Sequence, residues 1–89
     1  MVKSSVDINE SLAFAKKLLK NKNFEKAEKL YKKILREFPN NFDANYFLAS
    51  IKAQKNNFLD SKFYMEKALS VNPNLPELNN NLGLIYLNL

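Results

Sequence analysis

The sequence predicts an all-α fold: a solenoid of five antiparallel helices, arranged as two helical hairpins and the first helix of a third. Three observations carry this. Apolar residues recur at helical spacing in five segments, and Asn- and Pro-containing breaks separate them. Ala15, Ala49 and Gly83 stand 34 residues apart, each after an apolar residue (Phe14, Leu48, Leu82). Phe24 and Phe58, Leu35 and Leu69, Pro39 and Pro73, and Asn40 and Asn74 keep the same step. A unit of that length is one supersecondary element that buries its apolar face only by stacking on its neighbours. No strand pattern with Gly/Pro turn punctuation is visible.

Each element follows from local signals. Asp7 reads as an N-cap with Glu10 as its capping-box partner. Ile8, Leu12, Ala15, Leu18 and Leu19 then fall at helical period, with Phe14 alongside. Asn21-Lys22-Asn23 stops the pattern, because Asn tolerates the left-handed conformation that ends helices. Asn23 is the expected cap of a second helix carrying Phe24, Ala27, Leu30, Tyr31, Ile34, Leu35 and Phe38. Pro39-Asn40-Asn41 ends it, since proline disfavours helix in the residue before it. The program then repeats. A third helix runs from Phe42 through Tyr46, Phe47, Ala49, Ile51 and Ala53 to the break at Asn56-Asn57. A fourth runs from Phe58 to Val71 and ends at Asn72-Pro73-Asn74. Pro76 suits the first turn of a fifth helix, and Glu77 its positive N-terminus. The expected organisation is an N-terminal lead-in (1–7), two repeats (8–41 and 42–75) and a single third-repeat helix (76–89). Ala15, Ala49 and Gly83 are expected to let the first helix of each unit approach a neighbour closely. Ala27 and Ser61 do the same from the second helix.

Composition narrows the function classes. Seven Phe and four Tyr supply a core in 89 residues, and no apolar run nears the about 20 residues that span a bilayer. Met1-Val2-Lys3-Ser4-Ser5 shows no apolar run, so no signal peptide is expected, and there is no Cys, which excludes disulfides and thiolate metal sites. A cytoplasmic location is expected. The net charge of +5 is uneven: residues 8–41 hold nine Lys/Arg against four acids.

With the repeat in register, the chain resembles the tetratricopeptide repeat family, whose pattern is W-x2-L-G-x2-Y, A-x3-F and P. The nearest match is Leu82-Gly83-x2-Tyr86. The first unit offers Phe14-Ala15-x2-Leu18, Ala27-x3-Tyr31 and Pro39; the second offers Leu48-Ala49-x2-Lys52, Ser61-x3-Met65-x2-Ala68 and Pro73. The resemblance spans about Ile8 to Leu89 and implies a right-handed α-α superhelix. The family's Trp is Ser11, Asn45 and Asn79 here, Lys52 replaces an aromatic, and the hairpin-turn Gly is Lys22 and Asn56. These departures are expected to loosen the core and turns. The third unit stops after one helix rich in Leu, where arrays carry a solvating terminal helix. That implies either a piece of a longer array or a helix hidden against another copy.

No enzyme chemistry is expected, and no cofactor or metal. Without His or Cys, the usual bases, ligands and thiol nucleophiles are missing, and one Gly cannot make a phosphate loop. Glu25 and Glu28 read as solvated charges pairing with Lys29 and Lys32 rather than as a carboxylate pair. Lys26, Lys29, Lys32, Lys33 and Arg36 read as a solvated outer face; contact with phosphate or an acidic partner is the sharper alternative.

The resemblance implies a concave groove lined by the first helix of each unit. Its residues would be Asn9, Leu12, Lys16, Leu19 and Lys20, then Asp43, Tyr46, Ser50, Ala53 and Gln54, then Glu77, Asn80, Leu84, Leu87 and Asn88. Tyr46 is the expected anchor, with packing in its own repeat as the alternative. At the positions of the family's carboxylate clamp stand Leu12, Lys16, Phe47, Glu77 and Asn81, of which Lys16 alone keeps a suitable charge, so capture of chaperone tails is not expected. The reading is a non-catalytic scaffold that binds a protein or peptide in its groove. The alternatives are self-association through Ile85, Leu87 and Leu89, or the non-catalytic arm of a larger enzyme such as a glycosyltransferase. RNA binding by the basic first repeat ranks below these.

Overall fold

A computed structural model describes residues 7–74 and 76–89, and the side chains of these except 76–80 and 82. The lead-in expected over 1–7 lies outside the described residues but for Asp7. Five helices follow in order: α1 (Ile8–Lys20), α2 (Phe24–Glu37), α3 (Phe42–Gln54), α4 (Phe58–Val71) and α5 (Pro76–Leu87). Consecutive helices pack on one another, α3 and α4 most extensively.

The helix starts divide into two kinds. Asp7 caps α1 by accepting the Asn9 N–H (3.0 Å), and Asn41 caps α3 by accepting the Ala44 N–H (2.8 Å). Asn23 and Asn57 stand at the N-cap positions of α2 and α4 without a side-chain cap bond, contrary to the expectation for Asn23. The tight hairpin turns explain this. The Asn23 N–H is bonded to the Leu18 carbonyl (2.8 Å) and the Asn57 N–H to the Lys52 carbonyl (2.8 Å). Backbone closure, rather than a side chain, therefore sets the entry to α2 and α4. The left-handed residue in these turns is Lys22 (φ 60°) and its equivalent Asn56 (φ 62°). For a lysine this conformation costs roughly 1 kcal/mol, which the hairpin imposes because any residue at that place must turn the same way.

Two apolar clusters form the core. The first gathers Ala15, Leu18, Ala27, Tyr31, Ile34, Ala44, Leu48 and Ile51. The second gathers Ala49, Met65, Ala68 and Ile85, and Tyr64 packs against both. Ala15, Ala27, Ala49 and Ser61 are fully buried, as expected of close-approach positions. Ser61 donates its hydroxyl to the Ala49 carbonyl at 2.7 Å, which satisfies a buried polar group between α3 and α4. Phe14 differs from its echo Leu48: it is 58% exposed where Leu48 is buried. Leu48 joins α2 residues in the first cluster, whereas no described element covers Phe14.

Gly83 departs from its two echoes. A Cβ added there would meet nothing within 4 Å, so no close approach requires the glycine. In α1 and α3 the second helix of the hairpin closes on Ala15 and Ala49; no described helix closes on this side of α5. Gly83→Ala should therefore raise stability by about 0.5–1 kcal/mol through helix propensity alone. A urea midpoint at or below that of the parent would show that another segment lies against Gly83.

Lys52 does not loosen the core. It is buried, and its ammonium pairs with Glu28 (3.0 Å) and stands 3.9 Å from Asp60. Glu28 also binds Lys55 (2.8 Å) and Lys32 (3.1 Å). The expected Glu28–Lys32 pair is thus present, but Glu28 is not solvated: its side chain is 13% exposed. The cluster ties α2 to α3 and α4, a bridge between the two hairpins. Hydrogen bonds from Lys55, and then from Lys52 and Lys32, outweigh the opposing effect of burial and hold the Glu28 carboxyl down to about 2.

Candidate functional site

The residues expected in one continuous groove fall into two clefts and a remainder. The first cleft, of about 260 Å³, lies between α1 and α3, with Asn9, Leu12, Ala13, Lys16, Asp43 and Phe47 around it and Tyr31 of α2 contributing to its lining. Helical spacing explains why α1 offers these side chains: 9, 12, 13 and 16 share one face. The Lys16 ammonium sits 5.7 Å from the Phe47 ring centre, a cation–π contact that holds a positive charge at the cleft. The Phe47 ring stacks on Tyr31 (5.8 Å, 22°). Asp43 supplies a negative charge on the α3 side. Tyr31 is fully buried, and its hydroxyl has no hydrogen-bond partner among the described residues. Burial, with a smaller effect from Asp43, pushes its pKa up to about 12.

The second cleft, of about 200 Å³, lies among α3, α4 and α5 and includes Ser50, Ala53, Leu84 and Asn88. The Ser50 hydroxyl bonds the Tyr46 carbonyl (3.2 Å), and the Asn88 amide bonds the Leu84 carbonyl (2.8 Å). Leu84 is 60% exposed. Lys20 and Gln54 are exposed near the ends of α1 and α3 and enter neither cleft. Leu19 is half-buried against the first core cluster. The side chains of Glu77 and Asn80 lie outside the described residues.

Tyr46, the expected anchor, is half-buried and enters neither cleft. It stacks on Phe42 (5.9 Å, 5°), meets Phe47 edge-on (5.1 Å) and packs on the second core cluster. Its neighbour Phe47 is the aromatic at the α1–α3 cleft. The signal for this was in the spacing: Lys16 and Phe47 are 31 residues apart, one helical turn short of the 34-residue step, which places them at facing levels of neighbouring units.

Of the residues expected to mediate self-association, Leu87 and Leu89 are exposed, but Ile85 is 2% exposed. It packs with Ala49, Met65 and Ala68, so it serves the chain's own core. Tyr86 donates its hydroxyl to Glu66 (2.6 Å), which raises the tyrosine pKa, and Lys62 lies over its ring (5.5 Å).

Among the described residues no group of His, Cys, Asp and Glu could hold a metal ion, and no helix is long and apolar enough to cross a membrane. What the clefts offer is shape, one cation, one carboxylate and apolar floors.

A family comparison agrees with this architecture. The sequence model described as tetratricopeptide repeat matches residues 18–80, from the end of α1 into α5. That family mediates protein–protein interaction. Stacked helix pairs at a 34-residue step, with small residues at the crossings and a family match over most of the chain, place it in the tetratricopeptide repeat family.

Proposed function

We propose that the chain is a non-catalytic scaffold that holds an extended peptide or partner helix against α1 and α3. The observation that supports this most is the α1–α3 cleft, where the Lys16 ammonium over Phe47 stands across from Asp43. A cation and a carboxylate on opposite walls of an apolar-floored cleft suit a polar main chain with one anchored side chain. Such a partner meets the cysteine-free chain in the cytoplasm. The test is selection of peptides from a random-sequence display library against the full chain, followed by binding to Lys16→Glu. Lys16 is exposed, so this variant should melt like the parent yet bind the selected peptides at least about tenfold more weakly. Equal affinity for parent and variant would remove the α1–α3 cleft from the binding account.

A second reading, association of two copies through α5, is favoured by one observation. Leu84, Leu87 and Leu89 are 60%, 83% and 56% exposed. Glu77 is the single charged residue of 76–89, so two such helices meet without like-charge repulsion. Sedimentation across a concentration range separates the two readings: a monomer throughout would eliminate association through α5.

A further inference from the structure

The α2 and α4 helices frame a third cleft, of about 210 Å³, remote from the α1–α3 groove in residue content. It exists where the family pattern calls for Trp and this chain has Asn45. Asn45 itself is fully buried at the base of the cleft. The Asn45 amide is fixed: its nitrogen donates to the carbonyls of Asn41 (2.9 Å) and Pro39 (3.1 Å). Its oxygen is therefore the atom left over, and it has no hydrogen-bond partner among the described residues. Lys32, Arg36 and Lys67 rim the opening, and no acidic residue is among those that line it. The Lys67 ammonium is 5.9 Å from the ring centre of Phe63, which is 57% exposed. Arg36 and Lys67 make no ion pair with the described residues, so two cations without a carboxylate face one opening beside an exposed aromatic.

We propose that this cleft is a second docking site, independent of the α1–α3 groove, for an anionic side chain on a protein segment, with an apolar neighbour of that side chain seated on Phe63 and Pro39. The anion is a carboxylate received by Arg36 and Lys67, and a phosphorylated hydroxyl is the competing outcome of the test. A nucleic-acid strand fits less well. Further along α2 the positive charge is interrupted, because Glu28 already occupies Lys32, Lys52 and Lys55, with Glu25 beside it. A phosphate backbone needs a continuous track, whereas one anionic side chain needs one pocket.

The test is fluorescence anisotropy with the full chain and four probes. These are a labelled peptide rich in Glu and Phe, its counterpart with phosphoserine for Glu, its counterpart with Lys for Glu, and single-stranded oligo(U). The first two should bind and the Lys peptide should not. Combined Arg36→Glu and Lys67→Glu should weaken the anionic peptides at least about tenfold, while Lys17→Glu, at an exposed position that lines none of the three clefts, should leave them unchanged. The phosphoserine peptide should bind no tighter than the Glu peptide; a markedly tighter one would overturn the assignment of a carboxylate. Both charge reversals fall on solvent-accessible side chains, so both variants should melt like the parent; Phe63→Ala, at the exposed ring, is the independent check and should weaken binding without lowering the melting temperature. The proposal is overturned if neither anionic peptide binds, if the double charge reversal leaves affinity intact, or if oligo(U) binds more tightly than both with a steep salt dependence.

Discussion

Glu28→Gln should lower the stability of the chain by about 2–3 kcal/mol at neutral pH, a large effect for a residue on the side of a helix. Glu28 is the shared acceptor of three lysines, and Lys52 is the one that cannot retreat into water: its side chain is 11% exposed. Glutamine keeps the shape but removes the charge, leaving Lys52 with Asp60 at 3.9 Å as its remaining counter-ion. Breaking a buried pair from one side strands a charge, which is why the cost exceeds that of a surface pair. Lys32→Ala, at a 44% exposed partner, should cost under about 1 kcal/mol. The pH dependence has a definite sign. The Glu28 carboxyl lies at about 2 in the folded chain against an ordinary 4.5. Its contribution is therefore complete above 4.5 and is lost as pH falls toward 2. The stability gap between parent and Glu28→Gln, measured by urea unfolding, should close over that interval. A gap that persisted at the acid end would place the effect in packing rather than in charge.

Ala49→Leu should cost about 3 kcal/mol, the upper end of the usual overpacking range. Ala49 is fully buried between α3 and α4, and its own carbonyl is held by Ser61 at 2.7 Å, so the two helices cannot part without losing that bond. Met65, Ala68 and Ile85 close the other sides. Gly83→Ala, at the equivalent place one unit later, is expected to stabilise. The opposite signs at one repeat position separate what the residue type allows from what the neighbours demand. Thermal unfolding of the two single variants reads both; an Ala49→Leu protein that melted with the parent would mean that α4 does not cross α3 at this residue.

The helices and their crossings were legible because they depend on short-range pattern. Periodicity, Asp7 as a cap, and proline stops act within a few residues, and the small side chains repeat at a fixed step. The features that escaped depend on distant partners. Lys52 reads as a defect until Glu28, 24 residues earlier, is seen beside it. Gly83 reads like Ala15 and Ala49 until its surroundings prove open. Of the expected groove residues, Asn9, Leu12, Lys16 and Asp43 line the α1–α3 cleft, and the aromatic there is one residue from the expected one. Tyr46 and Phe47 are adjacent, and which of them meets the cleft depends on the rotation of α3 against α1, a quantity that helical periodicity alone leaves undetermined. The exchange of Trp for Asn45 was visible, but not that Asn45 is fully buried, because only packing shows whether neighbours collapse into the space.

The scaffold reading rests on the α1–α3 cleft, and amide chemical-shift mapping with a display-selected peptide tests it most directly. Titration into isotopically labelled full-length chain should move the amides of Asn9, Ala13, Lys16, Asp43 and Phe47, and leave those of Lys29, Lys33 and Ser70 in place. Shifts confined to α2 and α4, or to Leu84–Leu89, with α1 and α3 unmoved, would contradict it.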